Sequence, residues 1–182
     1  MHESLAATKK SSRMKREYPE SPLVGVGAVI VDRHLDDHRE ENRVLLIRRG
    51  TAPLLGEWSL PGGALECGET LRDAVAREAR EETGLVVETS EMLGLYERLI
   101  RGDEGRMRYH YVLIDFLCRP VGGDLKAGSD AADVRWFTRD ELPALNLADD
   151  TNDVVLKGLA RTMERRASSP GQGDVHPHTS NS

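Results

Sequence analysis

Apolar positions in this chain follow two rhythms, one of strands and one of helices. Leu23 to Val31 (LVGVGAVIV) is a near-continuous run of β-branched residues and glycine, the pattern of a buried strand. The charged insertion HLDDHREEN follows and predicts a solvated hairpin loop, after which Val44 to Arg48 (VLLIR) returns as a second strand. GTAPLLGEWSLPGGALECGE is punctuated by Gly and Pro and reads as loop, with a short strand around Trp58 to Leu60. From Thr70 to Thr83 the period changes. Leu71, Ala74, Val75 and Ala79, continuing to Leu85, share one helix face, with Thr70 at the start and Gly84 at the stop.

Beyond the helix, Leu85 to Thr89 and Met92 to Arg101 predict two strands, and RGDEGR a tight turn. Arg108 to Arg119 (RYHYVLIDFLCR) is the longest strand candidate, rich in β-formers, and Val134 to Thr138 is a further strand. Asp140-Glu141-Leu142 predicts a short helical turn ending at Pro143. Asp149 or Asp150 can cap a last helix carrying Val154, Val155, Leu159 and Met163 at helical spacing. Strands, a central helix, more strands and a closing helix indicate an α/β or α+β layered domain. Residues 22–166 form that domain, with disordered arms expected at 1–21 and 167–182, both polar and without periodicity.

The helix poses an electrostatic problem. At about 100° per residue, Glu78 and Glu82 project into the middle of the apolar stripe and Glu81 lies at its edge. Like charges at this spacing repel, and a solvated acidic face would lie opposite the stripe. Pairing with Arg72, Arg77 and Arg80 is one remedy. A hard divalent cation is the other, because Mg²⁺ favours carboxylate oxygen, keeps several waters and bridges to phosphates.

Gly63 is followed after five residues by Glu69, after seven more by Arg77-Glu78-Ala79, then by Glu81-Glu82, Gly84 and Leu85. This fills every fixed position of Gly-x5-Glu-x7-Arg-Glu-aliphatic-x-Glu-Glu-x-Gly-aliphatic, with Ala79 as a small aliphatic. The chain therefore resembles the Nudix hydrolases, over roughly residues 22–166. The resemblance implies a mixed β-sheet sandwiched between helices, with the motif as loop-helix-loop. It implies that Glu78 and Glu82 ligate a metal, that Glu81 ligates a second metal or orients water, and that the carbonyl of Gly62 or Gly63 completes the set. Glu69 is expected to pair with Arg77. Arg48 and Arg49, beside the loop, are candidates to clamp phosphate, and Trp58 is expected to pack under a tight turn. Outside the box, Asp130, Asp133 and Glu141 are the acidic candidates, Asp130 being chosen as fourth ligand or water-orienting group.

The implied reaction is metal-dependent hydrolysis of a pyrophosphate bond, with Mg²⁺ as cofactor and Mn²⁺ as the alternative. The segments GVGAVIVD, RRGTAPLLGEWSLPGG and RYHYVLIDFLCRPVGG resemble small bacterial ADP-ribose pyrophosphatases, implying cleavage of ADP-ribose to AMP and ribose 5-phosphate. One departure is the absence of any proline between Val86 and Arg119. MutT-like hydrolysis of oxidised nucleoside triphosphates and a non-catalytic ADP-ribose sensor are the other readings. An intact box argues against the sensor.

Charge and cysteine count narrow the classes. A net charge of −6 argues against a nucleic-acid surface and makes the overall field repel an anionic substrate, so attraction must be local. Cys67 and Cys118 are too few for a disulfide scaffold or a zinc quartet. His110, between Tyr109 and Tyr111, is read as structural or substrate-stacking, and His176 and His178 as part of a floppy tail. The N-terminus lacks the apolar core of a secretory signal, and no apolar run approaches the ~20 residues that span a bilayer. The expectation is a cytoplasmic protein acting on a nucleotide-type small molecule, with a homodimer left open.

Overall fold

A computed structural model describes residues 16–168 apart from 37, 38, 52, 53 and 129. The expected tail histidines, the first fifteen residues and the tip of the charged insertion lie outside the described residues. The elements are β1 (Leu23–Asp36), β2 (Arg39–Arg49), β3 (Trp58–Ser59), β4 (Gly62–Ala64), α1 (Leu71–Thr83), β5 (Leu85–Arg101), β6 (Met107–Gly123), β7 (Ala131–Thr138), the 3₁₀ turn Arg139–Leu145 and α2 (Asp149–Ala167).

β1 is the spine, and it changes partners along its length. Residues 23–30 run parallel to β6, while residues 31–36 pair antiparallel with β2. The strand order is β3-β2-β1-β6-β5, with β4 added to β1 and β7 to β2. Because successive strand residues point to opposite faces, β1 is buried on both. Val26, Ala28 and Ile30 pack with Ala74, Val75 and Ala79 of α1. Val29 and Val31 pack with Val154, Val155 and Leu159 of α2. The mixed sheet is thus sandwiched between helices, an α+β arrangement.

α1 has the ends its sequence announces. The Thr70 hydroxyl accepts from the backbone N–H of Asp73 at 3.2 Å, and the N–H of Gly84, in left-handed conformation, reaches the Arg80 carbonyl at 3.0 Å.

Besides β4, a strand in the segment read as loop, four elements differ from expectation. The charged insertion continues the β1–β2 ladder out to Asp36↔Arg39, because the antiparallel backbone bonds run on and the Arg43 and Asp32 side chains pair across it at 3.7 Å. Residues 85–101 form one strand rather than two, since the polar break at Thr89–Met92 is absorbed as a register irregularity. The 3₁₀ turn runs through Pro143 to Leu145, anchored where the Glu141 carboxylate accepts from the Thr138 N–H at 2.8 Å. Asp149 and Asp150 lie inside the first turn of α2 rather than capping it, where the helix dipole also favours acid.

Residues 16–21, assigned to the arm from sequence, are described. There the Tyr18 N–H donates to the Arg108 carbonyl at 2.8 Å and Glu17 pairs with Arg108 at 2.7 Å.

Candidate active site

The site grows from the contact between β4 and α1. Gly62 and Gly63 pair with Gly27 and Val26, and neither has room for a side chain. A Cβ on Gly62 would lie 2.2 Å from the Val26 carbonyl oxygen, and one on Gly63 would lie 2.4 Å from Glu78 Oε1. The bare backbone lets two glutamates of α1 close over it. The Gly62 N–H donates to Glu82 Oε2 at 2.8 Å, and the Glu78 carboxylate rests on Gly63.

Arg77 holds the loop before the helix. Its Nε and Nη2 donate to the two oxygens of Glu69 at 3.1 and 2.8 Å, and Nη2 also reaches the Ala64 carbonyl at 3.1 Å. Nη1 donates to Glu78 Oε1 at 2.7 Å and lies 3.4 Å from Glu81 Oε2. The Arg77 bond holds the Glu69 carboxyl below its usual range, and Glu69 in turn raises the Arg77 guanidinium.

Burial separates the glutamates. Glu82 is 9% exposed, and burial pushes its carboxyl up to about 7, with Glu78 and Asp130 adding to the rise and the Gly62 N–H and Arg49 opposing it. Burial also raises Glu78, against the pull of Arg77. The Glu81 side chain is 60% exposed. Inward projection of Glu78 and Glu82, and Glu81 at the edge, are what the helical spacing predicts.

Other candidates divide. Asp130 and Arg49 line the same cleft as Glu78 and Glu82, and the Gly50 N–H fixes this corner through the Asp130 carbonyl at 3.0 Å. Arg48 turns away, its Nε donating to the Gly56 carbonyl at 3.0 Å. Asp133, inside β7, accepts from the Val134 N–H at 2.8 Å, and Glu141 holds the 3₁₀ turn. Trp58 packs edge-on against Phe137 with ring centres 4.8 Å apart, a structural position. His110 pairs with Glu97 at 2.9 Å, and Tyr109 stacks on Tyr111.

The far end of the cleft was not picked out from the sequence. Arg98 of β5, Tyr111 and Asp115 of β6, and Asp150 of α2 line it. Asp150 accepts from Arg98 at 2.5 and 2.6 Å. The available signal was Asp115, a lone acid inside the apolar run VLIDFLC.

Comparison with known proteins identifies the arrangement. The NUDIX domain model matches residues 22–158. The chain belongs to the Nudix family. It is 40% identical over 131 residues to an ADP-ribose pyrophosphatase of Methanocaldococcus jannaschii, a match covering 72% of this chain and 73% of that protein. It is 36% identical to the Mus musculus 8-oxo-dGDP phosphatase NUDT18 over 65% of this chain, which spans 35% of the mouse protein's length. Among solved structures, the NUDIX domain of Shewanella oneidensis NrtR complexed with ADP ribose superposes with TM-score 0.61 at 25% identity, covering 79% of this chain and 90% of that one. The chain is a Nudix hydrolase, of a family that acts on pyrophosphate bonds.

Nudix hydrolases generally use divalent metals, and the residues here fit one. Two half-buried or buried carboxylates flank a bare Gly-Gly backbone, each with burial opposing its charge. Among the described residues no three acidic, His or Cys side chains are already gathered around one point. A cation that retains waters needs only one or two protein carboxylates, so Glu78 and Glu82 suffice in number. Among the described residues, no helix is long and apolar enough to cross a membrane.

Proposed function

We propose that the protein is a cytoplasmic Mg²⁺-dependent pyrophosphohydrolase that cleaves ADP-ribose to AMP and ribose 5-phosphate, with Mn²⁺ able to replace Mg²⁺. The observation that carries this reading is the pair of carboxylates, Glu78 and Glu82, closed over Gly62–Gly63 at one end of a cleft. The 40% identical archaeal pyrophosphatase and the ADP ribose bound by the Shewanella domain support the substrate.

In this reading Glu78 and Glu82 hold the cation, helped by a carbonyl of Gly62 or Gly63, while Glu81 and Asp130 hold a second ion or orient water. Bound there, an ion would cancel charge on the two phosphoryl groups and acidify water. Glu69 and Arg77 keep the loop seated on α1. Arg49 neutralises phosphate locally, against a molecule whose net charge is −6. The identity with the mouse phosphatase supports a second reading, hydrolysis of oxidised guanine nucleotides.

Release of AMP from ADP-ribose with Mg²⁺ is the test, run beside nucleotide sugars, dinucleotides and 8-oxo-guanine di- and triphosphates, ranked by specificity constant. ADP-ribose is expected to rank first, and Glu82→Gln to fall to background. Ligand binding without hydrolysis of any nucleoside diphosphate compound, under any divalent cation, would establish a sensor instead.

A further inference from the structure

The cleft is hollow for a reason written in β1. Its α2-facing positions are Gly25, Gly27, Val29 and Val31, and only the two valines fill the core. The glycines add no side chains of their own, so neighbours lie over them: Leu113 over Gly25, while Gly27 stands in register with Asp115 of β6. A Cβ on Gly27 would lie 2.2 Å from Asp115 Oδ1, so the carboxylate lies over that glycine.

Asp115 is 7% exposed, yet among the described residues no donor hydrogen-bonds its carboxylate. Buried polar groups nearly always have partners, and leaving one without costs free energy. The nearest charge relief, Arg98, is occupied on both oxygens of Asp150. Ser59, another lining residue, has its Oγ buried without a partner. A carboxylate that lines the cleft and has no donor of its own is placed to accept from a ligand there.

The chemistry at this end restricts what those donors are. Asp115 and Asp150 face one arginine, which Asp150 already holds on both oxygens, so this pair does not draw in a phosphate. Tyr111, Leu113 and Ile100 give aromatic and apolar walls beside the Asp115 carboxylate, which suits a flat ring better than a polyhydroxylated sugar. An ionised carboxylate accepts only.

We infer that Asp115 is a specificity-determining residue that accepts hydrogen bonds from the N–H donor edge of the substrate's purine base, an exocyclic amine alone or with a ring N–H. This rests on the substrate being a nucleotide derivative, as proposed above. Adenine and guanine both offer such an edge, and they differ in donor count.

Equilibrium titration in the presence of chelator separates the cases without relying on hydrolysis. The probes are AMP, GMP and purine riboside 5′-monophosphate, which has no exocyclic amine. The wild type is expected to bind AMP or GMP at least tenfold more tightly than purine riboside monophosphate, and Asp115→Leu to bind all three alike. Asp115→Asn, the shape-preserving variant, keeps the preference if adenine's single amine is read. It loses the preference if guanine's paired donors are read, since its own amide N–H₂ then opposes one of them. Thermal unfolding confirms that both variants are folded. Equal binding of the three nucleotides by the wild type overturns the inference, as does equal weakening of all three by Asp115→Leu, which would mean a sugar contact. If the wild type binds none of them, the nucleotide reading itself falls.

Discussion

The carboxyl of Asp115 is pushed by burial up to about 6 from its ordinary 3.8, with Asp150 adding to the rise and Arg98 opposing it. Burial, and then Asp115, raises the Tyr96 hydroxyl. A folded-state value above the unfolded one means that the protonated form is favoured in the fold. The contribution to stability is then fully present below pH 3.8 and lost as pH rises through 6. Two units correspond to about 3 kcal/mol. Asp115→Asn is therefore expected to be more stable than wild type by that order at pH 8, the gap narrowing steadily toward pH 4. Urea unfolding across this range measures it, and parallel stability curves would refute it. Gly63 makes the complementary residue-scale case. Gly63→Ala puts a methyl 2.4 Å from Glu78 Oε1, so the glutamate must swing aside while the backbone stays. Hydrolysis should fall by about a hundredfold, the cost of a misplacement on the order of 1 Å, with little change in unfolding midpoint. A loss of stability in step with activity would show that the glycine serves the fold instead.

At the scale of elements, Arg77 joins the loop, β4 and α1 through one planar group. Its fork meets both Glu69 oxygens and the Ala64 carbonyl at once, which a lysine cannot copy. Arg77→Lys is expected to speed amide exchange at residues 64–70 by roughly tenfold while α1 remains protected, and unchanged exchange in that loop would show the fork to be dispensable. This end of the site was legible in the sequence because its residues come from one stretch with one period: the helix face, its caps and the inward glutamates all follow from 3.6-residue spacing. β4 was not, since Gly-Gly-Ala carries no strand propensity and its close pairing needs Gly62 to bring no side chain against the Val26 carbonyl. The charged hairpin and the single long β5 were misread for a related reason, as ladders can continue through residues that favour neither loop nor core. The nucleoside end draws Gly27, Arg98, Asp115 and Asp150 from four elements, so no spacing connects them. Only the lone acid in VLIDFLC marked it.

Across the whole molecule, charge and sheet order pull in different directions. The net charge of −6 repels anions, yet Arg16 and Arg49 line the cleft, so capture is local and should weaken with salt only over a Debye length of about 10 Å at 0.1 M. The sheet, meanwhile, ends at β5. This strand of 17 residues presents Leu95 and Leu99 on one face at 61% and 51% exposure. Long outer strands with apolar side chains invite pairing with another chain, and natural proteins otherwise blunt them. A two-fold pairing of β5 with its copy would bury the same leucines from both partners, and it would do so on the strand that carries Arg98 into the cleft. The expectation is a homodimer in sedimentation velocity that Leu95→Asp converts to monomer. Because Arg98 then sits on a less constrained strand, the monomer should bind nucleotide more weakly while its Glu78–Glu82 end keeps its structure. A wild type that sediments as a monomer at every concentration short of its solubility limit would remove both the dimer and this coupling.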